Sequence, residues 1–114
     1  PTGLDVAATE AATLARLGMP DEIIARHRPT HFGHIFAGGY AAGYYGYMWA
    51  DVLSADAFEA FTETGDIWDR ATAGRLTQYV FAAGNRRDPA EAYRLFRGRD
   101  ADVSALMRDR GFAE

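Results

Sequence analysis

The stretch from His31 to Leu53, HFGHIFAGGYAAGYYGYMWADVL, holds four tyrosines, two histidines and five glycines in 23 residues, and it constrains the fold more than any other. At about 100° per residue on a helix, Tyr40, Tyr44, Tyr47 and Asp51 follow at i, i+4, i+7 and i+11 and share one narrow face. Tyr45, Met48, Trp49, Val52 and Leu53 form an apolar stripe on the opposite side, broad enough to be a core face. Gly43, Gly46 and Ala50 make a small-residue strip between the two, which lets another backbone come close. The pattern predicts a long central helix over 40–64, closed by Gly65 and spanning about 37 Å. A glycine-containing loop over 30–39 precedes it. There Gly38 and Gly39 permit unusual dihedral angles and a closely approaching backbone. Tyrosines at helical spacing more often serve packing in a buried helix than chemistry. The glycines favour a site instead, because they join a flexible loop to a row of hydroxyl donors.

The remaining segments also read as helices. DVAATEAATLARL over 5–17 has Asp5 at the N-cap and Gly18 after its end. Pro20, Asp21 and Glu22 suit a first turn, predicting a helix through Ile23, Ile24 and Ala25 that Pro29 stops. Asp69 caps a segment running through Leu76, Tyr79, Val80 and Phe81 to Gly84. Asp88-Pro89-Ala90-Glu91 opens another that ends at Gly98. A last helix over 102–110 has Arg108 and Arg110 in its final turn and Gly111 after it. No segment alternates as a strand would, so the fold class is all-α, about six helices around one long central helix. Asp56, Glu59 and Glu63 read as a solvated acidic face of that helix. The seven arginines from Arg86 to Arg110, interleaved with five acids, read as a solvated surface.

A chain of 114 residues, 48% of them hydrophobic, supports one helical domain with its own core. The net charge of −4 argues against nucleic acid or an anionic membrane as partner, since either calls for a basic patch. The chain has no cysteine, which excludes disulfides, thiolate zinc sites and cysteine nucleophiles. There is no apolar run of about 20 residues and no charged-then-apolar leader, which fits a cytoplasmic location. The chain opens at Pro1 without methionine, amid helix-like sequence, which suggests a piece of a longer polypeptide.

His27, His31 and His34 are spaced i, i+4 and i+7, and on an unbroken helix three imidazoles on one face could bind zinc. Pro29 breaks that helix and Gly33 weakens the turn after it. The sequence contains no His-Glu-x-x-His, the motif of a self-sufficient metallopeptidase.

FGHIFAGGYAAGYYGYMWADVL resembles the C-terminal signature of the thimet-oligopeptidase-like zinc metallopeptidases. The likeness extends through DAFEAF, TGDIWD, GNRRDP, YRLFRGR and LMRDRGF, and upstream through LARLGMPDEIIARHRP. Within the family the wording is most similar to bacterial peptidyl-dipeptidases, and then to oligopeptidase A. The resemblance implies that residues 1–114 are the C-terminal part of a larger, mainly helical, zincin-like catalytic domain that hydrolyses short peptides. Its zinc would be bound by a His-Glu-x-x-His helix and a downstream glutamate, all outside this chain, so the chain alone would be inactive. His34 matches the family's substrate-contacting histidine. Tyr40 and Tyr47 match tyrosines that stabilise the tetrahedral intermediate, Tyr44 matches a cleft tyrosine, and Gly38 and Gly39 match a loop that adjusts over bound peptide. The chemistry fits: attack on a peptide carbonyl concentrates negative charge on oxygen, and a phenol with a pKa of about 10 is a donor that stays protonated at neutral pH.

Two other readings compete with this one. The chain could be a non-catalytic helical interaction module with Gly43, Gly46 and Ala50 as an oligomer seam, or a small metalloprotein using His27, His31 and His34. As part of a larger enzyme, its partners would be short peptides and the upstream zinc-binding part of the same protein. The isolated segment would self-associate through surfaces shaped for the missing part.

Overall fold

The computed structural model describes residues 3–113, whose regular structure is all helical, with six α-helices and no strand among them. They fall into two compact units that divide after Tyr44. No described helix is long and apolar enough to cross a membrane.

In the first unit, α1 spans Val6–Arg16, and Asp5 caps it by accepting a hydrogen bond from Ala8 N at 3.0 Å. The helix expected after Pro20 does not form. A single turn, Ile23 N to Pro20 O at 3.1 Å, is all that remains of it. Ile23 and Ile24 are exposed, so no packing offsets the cost of nucleating so short a helix from β-branched residues. A 3₁₀ turn follows at Pro29–His31, then the one-turn helix α2 at Gly33–Phe36 and a second 3₁₀ turn at Ala41–Gly43. The stretch expected to be plain loop therefore contains two short helical turns, and the third falls within the expected long helix.

The second unit opens with α3, Gly46–Thr62. The expected helix over 40–64 is thus shorter, about 25 Å at 1.5 Å per residue. Residues 40–45 keep helix-like backbone angles at Tyr40, Tyr44 and Tyr45 but close as 3₁₀ and turn. Gly43 and Gly46 in neighbouring turns carry the weak helix propensity that accounts for this. The row Tyr40, Tyr44, Tyr47, Asp51 therefore does not lie along one continuous helix. The face that α3 buries keeps Val52 of the expected stripe, with Leu53 half-buried, and loses the rest. Val52, Asp56 and Ala60 are buried at i, i+4, i+8, whereas Tyr45, Met48 and Trp49 are exposed.

Beyond α3, the helix α4 spans Arg70–Leu76, capped by Asp69, which accepts from Thr72 N at 2.7 Å. It widens into a π-helical turn at Thr77–Phe81. The helix α5 spans Pro89–Arg97 with Asp88 accepting from Glu91 N at 3.0 Å, and Gly98 ends it at φ +80°, a conformation that favours glycine. The last helix, α6, spans Ser104–Asp109, after Asp102 accepts from Ser104 N at 2.7 Å. Phe96, Ala92, Ala105, Leu106, Val52 and Ala60 form the core, α3 packs on α6, and α5 packs on α4 and the π turn.

The acidic face of α3 is solvated only in part: Glu63 is exposed and Glu59 half-buried, but Asp56 is not solvated. Asp56 is fully buried, and its Oδ1 accepts from Arg99 Nη2 at 2.6 Å while its Oδ2 accepts from the Tyr93 hydroxyl at 2.6 Å. Arg97, only 6% exposed, donates its Nε to the Asp56 carbonyl at 3.1 Å and grips Glu63 in a two-pronged pair at 2.7 and 2.5 Å. Arg108 pairs with Glu59. The expectation of a solvated arginine surface fails at Arg97, where a charge removed from water must be paired and hydrogen-bonded, whereas Arg99 and Arg108 pair with the same acids and stay exposed. Neighbouring charges set the protonation behaviour. The hydrogen bond from Arg97 holds the Glu63 carboxyl below its usual range, and Glu63 in turn raises Arg97. Burial, followed by the bond to Asp56, pushes the Tyr93 phenol up.

Candidate active site: a cluster of rings on the first unit

The 3₁₀ turn at Pro29–His31 exists because proline fixes the backbone angle at the first position, where its missing N–H costs nothing. Phe32 joins that turn to α2, and its carbonyl accepts from Ile35 N at 3.2 Å and Phe36 N at 3.3 Å. The chain then doubles back. Ala37 N donates to Gly33 O at 2.8 Å and Tyr40 N to His34 O at 3.4 Å, which brings Tyr40 against the helical turn bearing His34.

The result is a cluster of rings. His34 and Tyr44 have centroids 5.3 Å apart, Tyr40 and Tyr44 meet edge to face at 5.6 Å, and His34 and Tyr40 lie at 6.1 Å. These separations fall in the range of favourable aromatic contact. Tyr40 is 40% exposed and Tyr44 is half-buried, so the cluster stands at the surface, within reach of a ligand. Its polar atoms are two phenol hydroxyls and an imidazole. A peptide carbonyl could accept hydrogen bonds from them, most strongly as its oxygen gains negative charge.

The two loop glycines differ. A Cβ at Gly38 would lie 2.9 Å from the backbone oxygen of His34, too close for any other residue without a shift, whereas at Gly39 it would meet nothing within 4 Å. Neither has positive φ. Gly38 is needed for close approach instead. Gly43 and Gly46 also face open space, so no backbone packs on the small-residue strip among the described residues.

Of the residues singled out in the sequence, His34, Tyr40, Tyr44 and Gly38 come together in the first unit. Tyr47 belongs to the second unit, in the first turn of α3, and is 57% exposed. Asp51, one turn further on, pairs with Arg110 at 2.7 Å. Sequence reasoning missed Phe32, whose ring touches His27, His34 and Tyr44. With Pro29 and Gly33 on either side, no helical period survived to mark it. His27 and His34 approach to 6.0 Å between centroids. Among the described residues, no three His, Cys, Asp or Glu side chains are grouped as a metal ion would require, so zinc has no ligand set there.

Comparison with known proteins gives the expected family, with the oligopeptidases A more similar than the dipeptidyl carboxypeptidases, the reverse of the expected order. The family model "Peptidase family M3" matches residues 2–112. Oligopeptidase A of Haemophilus influenzae is 47% identical over 83 residues, covering 73% of this chain and 12% of that protein. Oligopeptidase A of Escherichia coli is 46% identical over the same shares. Dipeptidyl carboxypeptidase of Salmonella typhimurium is 36% identical over 102 residues, covering 90% of this chain and 15% of that protein. The chain therefore spans about an eighth of the length of the oligopeptidases it matches. With a family match over almost all its residues, the chain belongs to peptidase family M3.

Proposed function

We propose that this chain supplies oxyanion-stabilising and substrate-binding groups to the active site of a longer zinc-dependent peptidase that hydrolyses short peptides. In this reading Tyr40 and Tyr47 donate hydrogen bonds to the scissile carbonyl as negative charge develops on its oxygen, and His34 contacts the peptide beside it. Tyr44 lines the cleft, and Gly38 and Gly39 let the loop backbone lie close to the peptide. The zinc would supply a polarised water and is held by residues outside this chain.

The observation that carries the reading is the convergence of His34, Tyr40 and Tyr44 into one exposed cluster of rings. Hydroxyl and imidazole donors on adjoining rings suit a carbonyl oxygen that must be held from several directions. The exposed apolar turn of Tyr45, Met48 and Trp49 favours an extensive partner surface, which we assign to the upstream part of the same protein.

The test is the full-length polypeptide assayed on a short fluorogenic peptide. Tyr40→Phe should lower kcat at least tenfold while zinc content stays constant, the behaviour of a donor used in the transition state. Wild-type turnover by both Tyr40→Phe and His34→Ala would overturn the reading.

A further inference from the structure

His27 lies outside the set of groups assigned above, yet it is built into the same cluster. Its imidazole stacks on the Phe32 ring with centroids 5.0 Å apart and planes only 9° from parallel. The same Phe32 ring meets Tyr44 edge-on at 4.8 Å and tilts against His34 at 5.9 Å. Phe32 thus lies between His27 and Tyr44 and also touches His34, which the His27 ring itself approaches to 6.0 Å between centroids. The backbone at His27 is itself anchored. The adjoining Arg28 pairs through its Nε with Glu10 of α1 at 2.9 Å, and Pro29 fixes the turn that follows.

From this geometry we propose that His27 is a positioning residue, its flat ring fixing Phe32 and through it the orientation of His34 and Tyr44. Flat stacking restricts the rotation of a phenyl ring that two other rings touch, and side chains that bind a reacting group lose effect when their supports are loose. The role requires a planar ring and makes no use of the imidazole nitrogens. A phenylalanine should therefore replace it and an aliphatic residue of similar bulk should not. His27 is exposed, so either replacement leaves the core untouched.

The inference rests on the reading of His34, Tyr40 and Tyr44 as site residues, and one set of variants in the full-length polypeptide separates the two. On the fluorogenic peptide, His27→Phe should keep kcat within about twofold of wild type and His27→Leu should lower it about tenfold, with KM and melting temperature unchanged. In a His34→Ala background the leucine change should cost less than about twofold more, since a support adds little once its dependant is gone. A leucine variant at the wild-type rate, or a phenylalanine variant as slow as leucine, overturns the proposal. So does a rate loss that tracks a fall in melting temperature. If Tyr40→Phe and His34→Ala leave kcat intact, the site reading fails and the positioning role with it. If they lower kcat while His27→Leu does not, the positioning role alone is wrong.

Discussion

The Tyr93 hydroxyl of α5 donates to Asp56 Oδ2 of α3 at 2.6 Å, and the same hydroxyl lies 3.3 Å from the Leu53 carbonyl. This contact joins residues 37 apart in sequence at the centre of the second unit, where Asp56 also meets Arg97 and Arg99. A fully buried carboxylate is tolerated there because both of its oxygens are bonded.

That satisfaction predicts an asymmetry between two substitutions. Asp56→Ala removes the fully buried carboxylate that Arg97 and Arg99 both face, leaving Arg97 only its pairs with Glu63 and Glu59, and should destabilise the unit by about 3–5 kcal/mol. Tyr93→Phe removes one donor and leaves Asp56 with its two arginines, so the loss should be about 1–3 kcal/mol. Urea unfolding followed by helical circular dichroism measures both. Equal losses would mean that the charge itself contributes little beyond a single hydrogen bond.

The same network predicts two pH limbs of stability. Glu63 has its carboxyl lowered in the folded state by the Arg97 hydrogen bond. Its contribution is therefore complete above its ordinary value of 4.5 and is lost as the pH falls through the folded value. Tyr93 is raised by burial. Its contribution is complete below the ordinary value of 10.0 and declines as the pH rises past it. Glu63→Gln should flatten the acid limb and Tyr93→Phe the alkaline one. Melting temperatures across pH 3–11 would show this, and an unaltered acid limb in Glu63→Gln would place the titrating group elsewhere.

How far the sequence could be read depended on whether a feature was local. The caps at Asp5, Asp69 and Asp88 and the stop at Gly98 follow from contacts within four residues, and all four stand where the sequence puts them. The all-helical class follows from the same local signals. The buried face of α3 depends on pairing with arginines 41 and 43 residues away, and no helical period encodes that. Asp56, Glu59 and Glu63 at i, i+3, i+7 look like a wet face until Arg97, Arg99 and Arg108 are brought against them. At the site, His34 and Tyr40 were legible as chemistry-bearing residues beside glycines. The ring packing through Phe32 was not, because it arises from turns that obey no single period.

The two loop glycines should respond differently to one added methyl group. In Gly38→Ala the new Cβ would fall 2.9 Å from the His34 carbonyl, so the backbone between His34 and Tyr40 must shift. A displacement of about 1 Å at such a place can cost up to a hundredfold in rate. Gly39→Ala meets open space and should stay within about threefold of wild type, as expected of a substitution that strains nothing. Peptide hydrolysis by the full-length polypeptide compares them. A crippled Gly39→Ala beside an active Gly38→Ala would mean that the loop changes shape when peptide binds.

Tyr47 in α3 and Tyr45 at its N-cap test the assignment of roles at the start of that helix. Both are exposed, at 57% and 73%, so removing either hydroxyl should leave the core and the melting temperature unchanged. They point in different directions, because neighbours two residues apart on a helix are turned by about 200° from each other. If the Tyr47 hydroxyl meets the developing oxyanion, Tyr47→Phe keeps the ring and loses only the donor. In the full-length polypeptide kcat should then fall by about a hundredfold or more with KM little altered, the pattern of an interaction made in the transition state. Tyr45→Phe should match wild type in both constants. A Tyr47→Phe enzyme of normal kcat beside a slow Tyr45→Phe enzyme would move the donor to the other side of α3. A rise in KM alone for Tyr47→Phe would make its hydroxyl a ground-state contact to the peptide, used equally before and during the reaction.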